Sequence, residues 1–168
     1  MPAKKASSIK KPLSDWCRYV RTGVFSAVMF GLTYAYTSWM KIPNQLNKSV
    51  ADTAIILIAL SMVMSSVGYF WNRFDHLVIF RKHLGLVGFA YGVAHWLLSW
   101  SLFLNVLKIE TWQKGAMWPA FTGVVALVIF TIMALISNQF SARLLGGKWW
   151  RFILRTGYAA VLLVAAHV

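Results

Sequence analysis

Residues 84–107, LGLVGFAYGVAHWLLSWSLFLNVL, run for 24 positions without a Lys, Arg, Asp or Glu. Wound as an α-helix at ~1.5 Å per residue they extend about 36 Å, enough to cross a hydrocarbon core of ~30 Å. Four other runs meet or approach that length: Thr22–Trp39, Thr53–Trp71, Phe121–Ser137, and Phe152 to the C-terminus. Membrane strands are half as long and need a closed barrel, so runs of this length predict helices. The expected fold is all-α, an integral membrane bundle of about five transmembrane helices over residues 22–168. A basic arm, residues 1–21, precedes it.

Composition agrees. Of 168 residues, 59% are hydrophobic and 12% charged, with nine Trp. A soluble domain of this size has too much surface for its volume to hide so much apolar area, whereas a bilayer serves as the apolar solvent. The net charge of +13 sits between the apolar runs rather than on a folded basic domain, which argues for membrane orientation and against nucleic acid. With the N-terminus in the cytoplasm, that side holds 13 Lys and Arg against 4 (Lys41, Lys48, Lys108, Lys114) on the other. The positive-inside rule therefore predicts a cytoplasmic N-terminus. Trp16, Trp71, Trp149 and Trp150 mark the inner interface, and Trp39, Trp112 and Trp118 the outer one. The first apolar run is too long and too far from Met1 for a cleavable signal peptide. Cys17 is the only cysteine, which excludes an intrachain disulfide and Cys-based zinc or iron–sulfur centres. Nucleotide-binding glycine motifs, carboxylate pairs and Ser-His-Asp sets are missing from the sequence, so hydrolytic chemistry has no support.

Polar groups inside a bilayer are expensive and therefore candidates for function. The central parts of the runs carry no formal charge, but they carry His95 and His167. Counted from Leu84 and Ile153 these lie about 17 and 21 Å deep. Two neutral imidazoles at matched depth on different helices suit the two axial positions of a haem iron; a lone membrane histidine also serves as an interhelical hydrogen-bonding group. Gly85, Gly88 and Gly92 precede His95 at spacings of three, four and three, one stripe on its helix face. A stripe without side chains leaves room for a flat ring or for a second helix. Arg81, fourteen residues before His95, shares its face and suits a haem propionate or a lipid phosphate. His83 lies about 120° away around the helix, and His76 sits in a loop beside Asp75; neither is an expected ligand. The stretch QFSARLLGGKWWRF (139–152) is basic and aromatic, an interfacial segment that suits anchoring or contact with a quinone headgroup or partner.

The segment RKHLGLVGFAYGVAHWLLSW (81–100) resembles the third-helix signature of the ferric-reductase-like transmembrane family. Within that family it is most like the haem-binding membrane subunit of the bacterial protein-methionine-sulfoxide reductase system (the YedZ/MsrQ type). There a basic pair, an L-G-L run and an aromatic-Tyr step lead to a haem-ligating His, matched by His95. LGGKWWRFILRTGYAAVLLVAAHV (145–168) resembles the fifth-helix region, with His167 at the final His. The likeness spans about residues 51–168. Leu154 stands where the family has the first His of the fifth helix, and Arg81 where two-haem relatives have a second His on the third. The resemblance therefore implies one haem b, held by His95 and His167, with Gly88, Gly92 and Arg81 beside it. It implies an electron-transfer subunit of the bacterial inner membrane, taking electrons from a quinol or flavoprotein and passing them to a periplasmic acceptor or larger complex. No flavin or nicotinamide domain is present, so a redox partner is expected. The alternative is a structural subunit of a membrane complex with a degenerate haem fold. The family continues beyond His167 with another helix, so a covering partner or a longer chain is expected at that end.

Overall fold

In the computed structural model the described residues are 14–71, 75–101, 104 and 117–167. Lys108, Trp112 and Lys114, the last residues of the 84–107 run, Arg73, most of the basic arm and the side chain of His76 lie outside that description. Among the described residues the structure is helical throughout: α1 (Asp15–Trp39), α2 (Gln45–Phe70), α3 (Asp75–Val78), α4 (Arg81–Leu98), α5 (Met117–Ile136) and α6 (Gln139–His167). Each of the five longer helices matches one of the apolar runs, α3 being a single turn. Two of them, Gln45–Met64 within α2 and α5, are long and apolar enough to cross a membrane by length and composition.

The helices start earlier than the apolar runs do. Ser14 caps α1 by accepting from the Cys17 amide at 3.3 Å, so residues 15–21 of the expected arm are helix. The second helix begins at Gln45, eight residues before Thr53, after a turn in which Lys41 and Asn44 adopt positive φ. Hydropathy cannot see such polar first turns, because their side chains are polar while their backbone is helical. The α5–α6 turn is closed by Asn138, whose carbonyl Oδ1 accepts from the Ser141 amide at 2.7 Å. The Trp150 indole donates to the Ile136 carbonyl at 3.0 Å and holds the same corner. Within α6 the path breaks at Gly146 (φ 72°, ψ 147°). The interfacial stretch 139–145 is thus one short helix, and the long helix runs from Gly147 to His167.

Burial in α1 and α2 is inverted relative to a water-soluble protein. Thr22, Ser26, Thr33 and Thr37 are buried on α1, while Val20, Val24, Val28, Leu32 and Tyr36 are exposed. On α2, Ser49, Thr53, Leu57 and Ser61 recur every fourth residue on the inward face. Thr37 and Ser49 hydroxyls meet at 2.8 Å and those of Thr33 and Thr53 at 3.0 Å. Small hydroxylated contacts let two backbones approach closely, which is how helices associate when no hydrophobic force drives them together. This buried hydroxyl stripe lowers the mean hydropathy of α1 although its outer face is apolar.

α2 is the centre of the bundle, packed against α1 on one side and α4 on the other, while α5 and α6 form a hairpin. Gly88 is what brings α4 onto α2. A Cβ there would lie 2.9 Å from Ile58 Cγ1 and 3.1 Å from the Ile58 backbone nitrogen. Ala126, Phe130 and Ala160 form the core of the hairpin, and Ile58 and Phe89 join it from α2 and α4.

Candidate functional site

Four helix ends meet at one end of the bundle: the starts of α2 and α5 and the ends of α4 and α6. His95 lies in the last turn of α4 and His167 closes α6. Their rings are 6.2 Å apart between centroids, with planes at 75°. α4 packs on α2 and α6 on α5, so the two imidazoles face each other across the seam between the two halves.

Edge-on ring pairs ordinarily stand about 4.5–7 Å apart, and this separation is also one that two imidazoles on a common metal would have: a metal–nitrogen bond of ~2.0–2.1 Å plus about 1.1 Å from that nitrogen to the ring centre would put their centroids about 6.3 Å apart. Each ring is also held by its other nitrogen. His95 Nδ1 lies 2.7 Å from the side-chain oxygen of Asn47, and His167 Nδ1 lies 2.6 Å from the Pro119 backbone carbonyl. A carbonyl only accepts, so each Nδ1 carries the proton and each Nε2 keeps its lone pair for a metal. Metal-binding histidines characteristically donate their second nitrogen in this way. Among the described residues no three His, Cys, Asp or Glu gather. Two opposed imidazoles without further protein donors among the described residues would suit haem, which would bring its own remaining ligands to the iron.

Gly123 makes the second contact possible. It lies one turn after Pro119 on α5, and the His167 ring passes over it to reach that carbonyl. A Cβ at Gly123 would sit 2.7 Å from Nδ1 and 2.8 Å from Cε1 of His167. Asn47, Pro119 and Gly123 were not legible as site residues: each needs a neighbour 48 or 44 positions away to acquire a role.

The expected residues separate. The glycine stripe divides, with Gly88 against Ile58 and Gly85 3.1 Å from Ser61 Oγ by a built Cβ, both helix contacts, while Gly92 faces open space. Arg81 is exposed in the first turn of α4, and its backbone carbonyl accepts from Ser61 Oγ at 2.9 Å. His83 is buried at the opposite end from the His95–His167 pair, edge-on to Tyr19 at 4.4 Å between centroids. Measured from Arg81 and Gly147, His95 and His167 lie about 21 and 30 Å along their helices, so the pair sits at one end of the bundle.

No family model matches the chain. It is 29% identical over 119 residues to the protein-methionine-sulfoxide reductase heme-binding subunit MsrQ of Pasteurella multocida, covering 68% of this chain and 55% of that protein. It is also 29% identical over 117 residues to MsrQ of Azospira oryzae, covering 67% of this chain and 46% of that protein. The magnetosome protein MamZ of Magnetospirillum gryphiswaldense is 26% identical over 125 residues, which are 72% of this chain and 19% of that protein. The chain spans about half the length of the MsrQ relatives it matches. The likeness first read from residues 81–100 and 145–168 is thus a relationship over two thirds of the chain: this protein resembles the haem-binding subunits of the MsrQ type.

Proposed function

We propose that this chain is a membrane electron-transfer subunit that holds one haem b between His95 and His167. The observation that carries the reading is the 6.2 Å imidazole pair, each Nδ1 of which is hydrogen-bonded to a carbonyl oxygen. When bound, haem supplies one-electron acceptance and release at its iron. The protein's own work is positional. α4 and α6 hold the two imidazoles, Asn47 and Pro119 fix their tautomers, Gly123 gives the His167 ring its seat, and Gly92 leaves space beside His95. Arg81, exposed in the first turn of α4, is a cation for a lipid phosphate at the inner face and is too far along α4 to reach a group at the His95 end.

In this reading all five long helices span the bilayer of a bacterial inner membrane with the N-terminus in the cytoplasm. The 13-to-4 distribution of Lys and Arg supports that orientation, and the hydroxyl-lined α1–α2 contact supports membrane packing for α1 as well as α2. The haem end of the bundle then faces the periplasm. A single haem near that face suits delivery to a periplasmic acceptor or a larger complex, with a quinol or flavoprotein partner supplying electrons from elsewhere.

A dithionite-reduced-minus-oxidised spectrum of the purified protein, with haem quantified per chain, tests the reading. About one b-type haem per chain is expected, with its loss in His95→Ala and in His167→Ala and its retention in His83→Ala. Unchanged haem in both of the first two variants refutes the ligand assignment. A second reading, a structural subunit with a degenerate haem fold, is favoured by Leu154 and Arg81 where inner ligands would stand. Protein made with ample haem supply that still contains none would decide for it.

A further inference from the structure

Asn47 makes two hydrogen bonds in opposite senses. Its Oδ1 lies 2.7 Å from His95 Nδ1, and its Nδ2 donates to Ser99 Oγ at 2.8 Å. It stands in the first turn of α2, whereas His95 and Ser99 are one turn apart at the end of α4. The amide therefore bridges two helices and spans one turn of the second. The Ser99 hydroxyl can donate as well as accept and so fits either face of the amide. In the structure it accepts from Nδ2 and Oδ1 is turned to the imidazole, where an oxygen can only accept. His95 is then the Nδ1–H tautomer with Nε2 unprotonated. Reversing the amide would donate to Nδ1, put the proton on Nε2 and close that nitrogen to a metal.

The partner of His167 is different in kind. A backbone carbonyl has a fixed position and fixed acceptor strength, while a side-chain amide can be exchanged for a stronger or weaker acceptor. Asn47 also lines an open cavity of about 360 Å³ with Asn44, Gln45, Leu46, Leu98 and Ser101. The His95 side of the pair is thus linked through one amide to an opening at the end of the bundle.

We propose that Asn47 is the positioning residue for His95, fixing its tautomer through the amide oxygen on Nδ1 and setting how strongly the imidazole donates to iron. This rests on the haem reading above. A stronger acceptor on Nδ1–H makes the imidazole more basic and favours ferric iron; loss of the acceptor does the reverse and loosens the ligand.

The test uses the full chain in detergent, with Asn47→Asp, Asn47→Leu and Ser99→Ala compared by haem affinity, midpoint potential and low-temperature EPR of the ferric form. Asn47→Asp keeps the shape and the acceptor, so it should retain haem with a lowered midpoint potential and altered g values. Asn47→Leu should lose about 10- to 100-fold in haem affinity, the usual effect of removing such a partner. Ser99→Ala should retain haem and shift the potential. Wild-type potential and affinity in both Asn47 variants would overturn the proposal and leave Asn47 as helix packing. Haem loss in Asn47→Asp equal to that in Asn47→Leu, with helix content and elution profile intact, would also overturn it, because an acceptor on Nδ1 would then not be what Asn47 supplies. Failure of the haem reading shows separately: wild-type protein without haem, or haem unaffected by His95→Ala, removes the ligand and with it the role of Asn47.

Discussion

Gly123→Ala adds one methyl group at the point where α5 receives the His167 ring. The new Cβ would stand 2.7 Å from Nδ1, and ordinary contact begins at 3.4 Å, so ring and methyl must part by about 0.7 Å. α5 cannot easily supply that movement, because Ala126 and Phe130 one and two turns later are packed against Ala160 of the same partner helix. The ring moves instead, and its 2.6 Å bond to the Pro119 carbonyl lengthens to as much as about 3.3 Å, a much weaker contact. Metal–ligand distances tolerate only about ±0.2 Å, so on the proposed haem reading a displacement of this size would remove His167 as a ligand. Alanine is the better helix former by roughly 1 kcal/mol, and the helix itself is not weakened. The expected product is folded protein whose remaining haem is held by His95 alone. It should bind carbon monoxide, which the six-coordinate wild type should exclude, and its haem content should fall. The assay is a carbon-monoxide difference spectrum beside haem quantification and circular dichroism. A wild-type low-spin spectrum at full occupancy would refute the reasoning, since the ring would then not depend on that contact.

Two glycines of the α4 stripe should part company when each is replaced by valine. Gly88→Val drives a side chain into Ile58 and its backbone nitrogen and should cost about 1–3 kcal/mol of stability, read as a lower melting temperature in detergent. A Cβ at Gly92 meets nothing within 4 Å, so Gly92→Val should change the haem-free protein's melting temperature far less than Gly88→Val while lowering haem binding; the reverse pattern would mean the glycines were misassigned. Cys17 is the only cysteine and is exposed in the first turn of α1. A membrane-impermeant maleimide should therefore leave it unlabelled in sealed right-side-out vesicles and label it after detergent is added. Labelling before detergent would reverse the proposed topology. Thr33→Val removes the hydroxyl that bridges to Thr53 and to the Ser49 carbonyl; interhelical hydrogen bonds of this kind average about 0.6 kcal/mol, so a small fall in thermal stability with intact haem is the expected outcome.

The helices and the two facing histidines were legible in the sequence for the same reason. Apolar length is a local property, and a histidine inside an apolar run stands out because its surroundings are otherwise uncharged. The glycine stripe before His95 was visible as a pattern but ambiguous in meaning, since spacing places residues on a face without saying what lies opposite. Packing resolved it: Gly85 and Gly88 meet α2, and Gly92 does not. The polar first turns of α1 and α2 escaped because hydropathy reports side chains, whereas a helix start depends on backbone capping such as that of Ser14.

From the sequence alone came the helical character, the number of apolar runs, the charge asymmetry and the identity of His95 and His167, all of which follow from short windows of composition and period. Only the tertiary structure decided that these histidines face each other at 6.2 Å, that Asn47 and Pro119 hold their other nitrogens, and that Gly123 must lack a side chain. Those facts join positions 44 to 72 residues apart along the chain, and no local pattern encodes them. They are created when four helix ends are brought to one end of the bundle, where a few tenths of an ångström separate a ligand from a bystander.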